Sequence, residues 1–449
     1  MKRAALVLCA LSFAATVAAA QAAPEAPAPV RLGLEEAVSR ATLASPRLAG
    51  LGDLETAAQE QRRGAAAERW PQVDVGGGYR YRSAVPPLTI FAPTGDPLRP
   101  FEQLTVFPNI QNNYQLRAGL ALPVYTGGRI SGQIEAADKG REAAQQDRRA
   151  ARADLVLETK TAYWNLVTAR AAGRLLQEAI KAFEAHLADA RNRERFGMAA
   201  RNEVLAVEVE RDRTELDLLQ ATAGADVAEA NLRRLLDLPP ATRVEPTEAL
   251  EAPPVVASDL EPLVSEAAAG RADRAALLAR VSATEALVGV ERGGRLPQVA
   301  ITAGYTYANP NRDIVPPTST WEDTWDVGAS FAWSVFDGGR RSASEARARA
   351  QADAVRQQLR ELDRAIRLEV TRRLLELRTA AQRVSVAERG REAARENRKV
   401  AQDRYREGVI PSSELLDAET GLERAELLCT EAMASLRLAA AGLERAVGR

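Results

Sequence analysis

The sequence has very few of the residues on which enzymes and metal sites most often depend. Its 449 residues include one histidine and two cysteines. The histidine, His186, lies in a long stretch of predicted helix with no cysteine nearby, so a His/Cys zinc site and a Ser–His–Asp triad both lack the necessary parts. The glycine pairs at 127–128 and 338–339 are not followed by the Lys-Ser/Thr of a phosphate-binding loop. We therefore expect no enzymatic activity, no cofactor and no metal, and we expect His186 to be a surface or helix-seam residue.

The sequence also lacks a charge excess of either sign, and it lacks long apolar runs after its first residues. With 60 Lys and Arg against 61 Asp and Glu, the formal net charge is −1, which argues against a nucleic-acid partner. The apolar stretch 4–20 follows two basic residues and ends in Ala20-Gln21-Ala22, the pattern of a cleaved signal peptide. We predict a signal peptide at 1–22 and an N-terminal extension at 23–33. No later apolar run is long enough for a membrane helix, so a membrane-spanning role would require β-strands.

The two cysteines predict no covalent cross-link within the chain. Cys9 lies inside the predicted signal peptide, too early in its apolar core for a lipoprotein box. Cleavage would leave Cys429 as the single cysteine, which excludes an intramolecular disulfide. We expect Cys429 to be a small buried residue on a helix. The sequence does not decide the lipidation state.

The most informative feature of the chain is a long internal sequence repeat. Gly-Gly-Arg occurs at 127–129 and again at 338–340, at an offset of 338 − 127 = 211 residues. Gly197, in a predicted turn between helices, returns as Gly408 at the same offset. Because this period is too long for a solenoid unit, it indicates a duplicated structural half. We predict a first repeat at 34–237, a proline-rich linker at 238–258 that lies partway along the helical body, and a second repeat at 259–449.

Four segments alternate apolar and polar residues with the period of a β-strand. They lie at about 72–82 and 114–125 in the first repeat, and at about 298–307 and 325–336 in the second. Each has the length that a tilted strand needs to cross a bilayer, and tyrosine and tryptophan cluster at the strand ends. A water-soluble sheet shows the same period, but the Gly, Ser, Thr and Arg of the polar faces favour a water-filled lumen. Four strands cannot close a barrel, so the membrane interpretation requires several copies of the chain.

Proline-rich segments join the two strands of each repeat. The first, 83–113, contains prolines at 86, 87, 93, 97, 100 and 108, which predict a segment without regular strand or helix. The second runs from 308 to 324. We expect both to be exposed loops at the cell surface.

A long proline-free helix is predicted after each Gly-Gly-Arg, over 129–196 and 340–406. Such helices would extend roughly 100 Å. The first has a heptad seam in which Gly173 and several alanines would allow close helix approach; its main positions are Leu155, Ala162, Ala169, Leu176, Phe183 and Ala190. The return helices continue the seam at Val209, Leu216, Ala223 and Ala230, and at Thr420, Leu427, Ala434 and Ala441. Each repeat therefore predicts a helical hairpin with its tip near 197 or 408, and a shorter helix before its strands, at 34–69 or 260–295.

These motifs, in this order and spacing, resemble those of the TolC-type outer-membrane factors, the outer membrane efflux protein family. The resemblance rests on the strand starts Trp70-Pro71-Gln72 and Leu296-Pro297-Gln298, the Gly-Gly-Arg junctions, the tip glycines and the stretch 404–419. It covers nearly all of the mature chain. It implies a mixed α and β membrane fold: a homotrimer whose twelve-strand β-barrel is continuous with a twelve-helix α-barrel.

The resemblance also implies a location and a function. The β-barrel would contact outer-membrane lipid, and the helical barrel would lie in the periplasm. The protein would be a passive exit duct of a tripartite efflux pump or a type I secretion system, working with a periplasmic adaptor protein and an energised inner-membrane transporter. Drugs, metal ions, peptides and proteins all remain open as cargo. A non-conducting periplasmic coiled-coil scaffold is the alternative, although it does not explain the four alternating strands.

The resemblance assigns roles at the hairpin tips as well. Glu414 and Asp417, one helical turn apart, match the acidic ring that closes the periplasmic end in the family, although the family usually has Asp at the first position. Glu203 would accept a hydrogen bond from Tyr405 and latch neighbouring hairpins. The adaptor would dock at the tips, whose candidate contacts are Gly197, Met198, Gly408, Val409 and Ile410.

Overall fold

The computed structural model of the protein describes residues 29–253 and 259–449. The predicted signal peptide, most of the predicted extension and residues 254–258 of the predicted linker therefore lie outside the described residues. In chain order the elements are β1 (Val30–Leu32), α1 (Leu34–Ala44), α2 (Pro46–Ala67), β2 (Gln72–Tyr81), β3 (Leu88–Asp96), β4 (Arg99–Phe107), β5 (Asn112–Tyr125), α3 (Arg129–Arg195), α4 (Arg201–Leu235), β6 (Val244–Pro246), α5 (Leu260–Gly270), α6 (Ala272–Gly293), β7 (Gln298–Asn309), β8 (Glu322–Ala332), α7 (Arg340–Arg406) and α8 (Ser412–Val447).

The four predicted strands form one antiparallel sheet in the order β2-β5-β7-β8. Its register aligns the predicted apolar positions into rows across the sheet, for example Val75 opposite Ala118, which pairs with Tyr305 and through it with Trp325. Successive side chains point to opposite faces, so one face is continuously apolar, and most of its large side chains are exposed in the single chain. The last strand ends at Ala332 rather than at the predicted 336, because its partner strand begins opposite that residue, at Gln298.

The proline-rich segment 83–113 is not the structureless loop that its prolines predict. It contains the antiparallel hairpin β3–β4, with a turn at Pro97. Both strands of a two-stranded hairpin are edge strands, where a missing N–H is tolerated. Pro93 pairs with Phe101, and Pro100 falls where the register shifts. The prediction was wrong because it applied the rule for central strands to a segment that has only edges.

Two further predictions need correction. The single helix expected at 34–69 is two helices, because Ser45 caps α2, its hydroxyl accepting from the Leu48 N–H at 3.3 Å. The helix expected at 260–295 also breaks, at Arg271.

The predicted linker is partly regular: β6 pairs in parallel with β1, and the Tyr163 hydroxyl, partway along α3, donates to the Leu32 carbonyl at 3.1 Å.

The long helices follow the predicted hairpin pattern, and the α3 seam is the core of the helical body. Leu155, Leu166, Leu176, Phe183 and Ala190 are all buried. Gly173 does not serve the close approach that we expected, since a Cβ there would meet nothing within 4 Å. Cys429 is buried on α8, as predicted. None of the helices in the described part of the chain combines the length and the apolar character needed to span a bilayer.

Candidate functional site

The two hairpin tips have the same backbone geometry. Gly197 has a φ of 71° and Gly408 a φ of 73°, the left-handed conformation that glycine adopts without strain. In the first tip the Met198 N–H returns to the Arg193 carbonyl at 2.8 Å, so the last turn of α3 closes on itself as in a Schellman motif. The same bond recurs in the second tip. These glycines therefore shape the turns, and a direct contact with a partner is not needed to explain them.

The exposed apolar surface of the tips differs in part from the predicted set. Met198 is 70% exposed, Val409 is 60% exposed, and Phe196, which lies beside Gly197, is 74% exposed. Ile410 is only 9% exposed because it packs in a small cluster with Tyr405 and neighbouring residues of α8. Ile410 is thus a packing residue in this chain rather than an exposed contact.

The two predicted gate acids lie together on the open side of α8. Glu414 and Asp417 are exposed, whereas the intervening Leu415 and Leu416 are buried against the rest of the tip. Neither acid forms an ion pair within residues 29–253 and 259–449. The helical spacing thus places two unpaired carboxylates on one surface near the N-terminus of α8.

The predicted bond between Glu203 and Tyr405 is not made. The Tyr405 hydroxyl is buried and has no hydrogen-bond partner among the described residues, and this burial raises the pKa of Tyr405. Arg193 takes the role instead: its guanidinium lies 4.0 Å from the centre of the Tyr405 ring and donates to the Tyr405 carbonyl at 2.9 Å. A cation over an aromatic face is a favourable contact, and here it joins α3 of the first hairpin to α7 of the second.

His186 forms the most buried polar contact between the hairpins. Its Nδ1 lies 2.8 Å from the Glu419 carboxylate and its Nε2 lies 2.9 Å from the Ser412 hydroxyl. The His186 and Glu419 side chains are 1% and 7% exposed, and the imidazole ring meets the Tyr405 ring edge to face at 5.4 Å. The arrangement that satisfies all three groups has Nδ1–H donate to Glu419 while Nε2 accepts from Ser412.

Sequence reasoning expected His186 to be a surface or seam residue and missed its polar contacts. The available signal was its position directly before the seam residue Leu187 in α3. Leu187 packs with Val204 and Leu416 in a buried cluster that contains residues of α3, α4 and α8. The polar contacts of His186 therefore lie beside an apolar contact that joins the same two hairpins. No group of three or more potential metal ligands occurs among the described residues.

The chain matches the family model described as "Outer membrane efflux protein" over residues 37–237 and 263–449. Protein CyaE of Bordetella pertussis is 32% identical over 173 residues, which are 38% of this chain and 35% of that relative. The matched stretch is therefore only about a third of the relative's length.

Solved outer-membrane channels share the fold. VceC of Vibrio cholerae has a TM-score of 0.77 at 19% identity, over 92% of this chain and 96% of that one. The outer-membrane channel OprN has a TM-score of 0.76 at 22% identity, over 92% and 89%. With the family model matching most of the chain in two segments, the protein is a TolC-type member of the outer membrane efflux protein family, located in the outer membrane with its helical part in the periplasm.

Proposed function

We propose that the protein is the passive exit duct of a tripartite efflux pump or a type I secretion system, and that it works as a homotrimer with a shared barrel. The observation that carries this proposal is the open four-stranded sheet. The edge strands β2 and β8 each have one unpaired side in the chain. Unpaired backbone groups in hydrocarbon cost several kcal/mol each, so a sheet in the membrane must find further strands.

The internal duplication supports the direction of this pairing. Within the chain, β5 of the first repeat pairs with β7 of the second. By the same relation, β8 of one copy would pair with β2 of the next. The helices show the same pattern: α6 packs on both α3 and α7, whereas the main contact of its counterpart α2 is with α3. By the repeat relation, α2 of one copy would pack against α7 of the next copy, as α6 packs against α3 within the chain.

The strand-to-helix junctions support the same relation. At the first junction Gly127 lies so close to α6 that a Cβ would be 2.5 Å from the Gly293 carbonyl oxygen. At the second junction a Cβ on Gly338 would meet nothing within 4 Å, and Phe336 nearby is 89% exposed. The second junction is the one that would receive α2 of the neighbour. The unpaired edges of the sheet require further strands to close a barrel, whereas the number of three copies rests on the resemblance to TolC-type factors.

The gate would lie at the tips, as the resemblance implies. In a trimer Glu414 and Asp417 would place six carboxylates around the periplasmic opening, where mutual repulsion favours cation binding. For the second hairpin to move apart from the first, the Arg193–Tyr405 and His186–Glu419 contacts must break or slide. The exposed Met198 and Val409 would be available to a periplasmic adaptor, and an inner-membrane transporter would supply the energy.

The first experiment is the mass of the particle extracted from the outer-membrane fraction, corrected for bound detergent. A mass of three chains, together with conductance in a planar bilayer, supports the shared barrel. A monomer that stays soluble without detergent would contradict it and would favour a periplasmic scaffold.

The gate is tested separately in the same bilayers. Replacing both acids, Glu414→Ala with Asp417→Ala, should weaken the block by multivalent cations added from the periplasmic side at least about tenfold, because the unpaired carboxylates are removed. Glu407→Ala, at the exposed end of α7 near the same tip, is the matched control. An unchanged block in the double variant would exclude the two acids from the gate.

A further inference from the structure

Four arginines line one cavity on the polar face of the membrane sheet. The cavity measures about 390 Å³ and lies where the sheet meets the loop after β7. Its basic residues are Arg80, Arg82, Arg117 and Arg312, and Asp313 is the single acidic residue in its lining. Such a concentration of one charge within a chain of net charge −1 is a local feature that the overall composition hides.

Strand register explains why these side chains share a face. Gly76 of β2 pairs with Arg117 of β5, so Arg80, four residues after Gly76 on the same strand, projects to the side of Arg117. Arg82 lies just past the end of β2, where its N–H still bonds to the Gln111 carbonyl at 2.8 Å. Small and polar neighbours such as Gly78 and Thr306 leave room between them. The opposite face is the apolar one, so a lipid chain on that side does not reach this cavity.

Arg312 joins the cluster from the loop. Its guanidinium donates twice to the Asn113 side-chain oxygen, at 2.7 and 3.1 Å. Burial, together with the nearby positive charge of Arg82, lowers the pKa of Arg312. The loop is therefore fixed in a position that brings like charges together, which is unfavourable unless an anion compensates them.

No carboxylate neutralises the four arginines within the described part of the chain. The ion pairs formed there include none of the four. Asp313 instead accepts a hydrogen bond from Thr324 at 3.3 Å. Of the acids on the same face, Glu322 and Asp326 lie on β8, beyond β7, and Asp74 lies on β2, towards the opposite end of that strand from Arg80. None of these three acids lines the cavity.

We propose that this cluster is an anion-binding site that takes multivalent oxyanions, such as the phosphate or carboxylate groups of a solute. Guanidinium groups present paired N–H donors that match the oxygens of phosphate and carboxylate, and several of them around one cavity favour a multivalent ligand over chloride. The site rests on the proposed function in one respect: as part of an exit duct, the polar face lines the lumen, and the outgoing solute meets the arginines near the outer opening.

The direct test is calorimetric titration of the detergent-extracted protein with pyrophosphate. The triple variant Arg80→Gln, Arg117→Gln, Arg312→Gln should bind at least about tenfold more weakly than the unaltered protein, because it lacks three of the four charge-assisted donors. The matched control is Arg99→Gln, because Arg99 is an exposed residue of the hairpin β3–β4 and does not line the cavity. Equal affinity in the triple variant, or no binding to the unaltered protein, would overturn the proposal.

Bilayer recordings separate this proposal from the exit duct itself. The unaltered channel should be blocked by pyrophosphate added on the side of the loops, and the triple variant should resist block and shift its reversal potential towards cations. If the protein conducts and the three substitutions leave the pyrophosphate block unchanged, the anion site is rejected and the proposal of an exit duct stands. If pyrophosphate binding depends on the arginines but the protein never conducts, the anion site stands and the proposal of an exit duct is rejected.

Discussion

The return helices α4 and α8 have corresponding sequences but opposite surroundings. On α4 the seam residues Val209 and Leu216, and Val227 further along, are more than 60% exposed. On α8 the corresponding seam is packed, with Ala434 and Ala441 buried, because α8 lies against α3 of the first repeat as well as against α7. The difference shows that α8 packs along two long helices within the chain, whereas α4 packs mainly on α3 and meets α8 only over a short stretch.

The missing partner of α4 has a matching surface on the same molecule. Helix α7 exposes Leu368, Leu375 and Val386. By the repeat relation, α4 of one copy would meet α7 of another as α8 meets α3 within the chain. Exposed apolar stripes on long helices indicate such contacts more often than chance exposure.

The largest expected effect comes from placing charge on the open seam. Leu216→Asp with Val227→Asp should abolish the proposed trimer, because both side chains would become buried between its copies, where an unpaired carboxylate is very unfavourable. Sedimentation in detergent measures the particle mass. Leu98→Asp is the control that should remain trimeric, because Leu98 is 91% exposed in the turn between β3 and β4. A trimer of unchanged stability in the double variant would show that α4 faces solvent in the assembly.

The two Gly-Gly-Arg junctions provide a second comparison. Gly127→Ala should destabilise the protein by about 3 kcal/mol or more, since its Cβ would overlap the Gly293 backbone in addition to the strain of a positive φ. In the single chain Gly338→Ala should cost about 1 kcal/mol, from the backbone conformation alone, whereas in the proposed trimer, where α2 of a neighbour would pack at the second junction, it should cost about as much as Gly127→Ala. Thermal unfolding of the extracted protein compares the two variants. Equal losses would mean that the second junction is as crowded in the assembly as the first is in the chain.

The contact at His186 between the two hairpins provides a third comparison. His186→Ala leaves the Glu419 carboxylate buried without its partner, so we expect a loss of about 3 kcal/mol and a channel that opens more readily. His186→Gln should recover part of both, since an amide can still bond to Glu419 and Ser412. Asn397, the corresponding residue of α7 at the offset of 211 (397 − 186), is exposed, so Asn397→Ala should change little. Similar effects of the His186 and Asn397 substitutions would contradict the assignment.

Periodicity predicts what depends on one segment and fails where two distant segments meet. The strands, the long helices and the tip glycines each follow from local spacing, and the structure has them close to the predicted bounds. Pairing of β1 with β6, or of Arg193 with Tyr405, joins residues about two hundred positions apart, and no local pattern specifies it. The burial of Ile410 escaped prediction for the same reason, since its cluster depends on how the tip folds back on α7.

The smallest expected effect concerns one carboxyl group between α4 and α8. Burial raises the pKa of Glu423 above its ordinary value of 4.5, and the charges of Asp217 and Glu210 act in the same direction against a hydrogen bond from Thr214. A carboxyl whose pKa is higher in the folded state is stabilised when protonated, so its penalty applies at neutral pH and disappears as the pH falls below 4.5.

Glu423→Gln should therefore raise the stability at pH 7, by less than about 1 kcal/mol because the group is partly exposed to solvent, and should change it little at pH 4. Unfolding temperatures at the two pH values measure the difference. Asp212, the counterpart on α4 at the same offset (423 − 212 = 211), is exposed in the single chain, where it pairs with Arg211. Asp212→Asn should have almost no effect at either pH if α4 faces solvent, and should stabilise the protein at pH 7 if α4 packs between copies as proposed. If Asp212→Asn stabilised the protein as much as Glu423→Gln, the two return helices would have equally buried surroundings in the assembly, and the contrast between them would belong to the isolated chain alone.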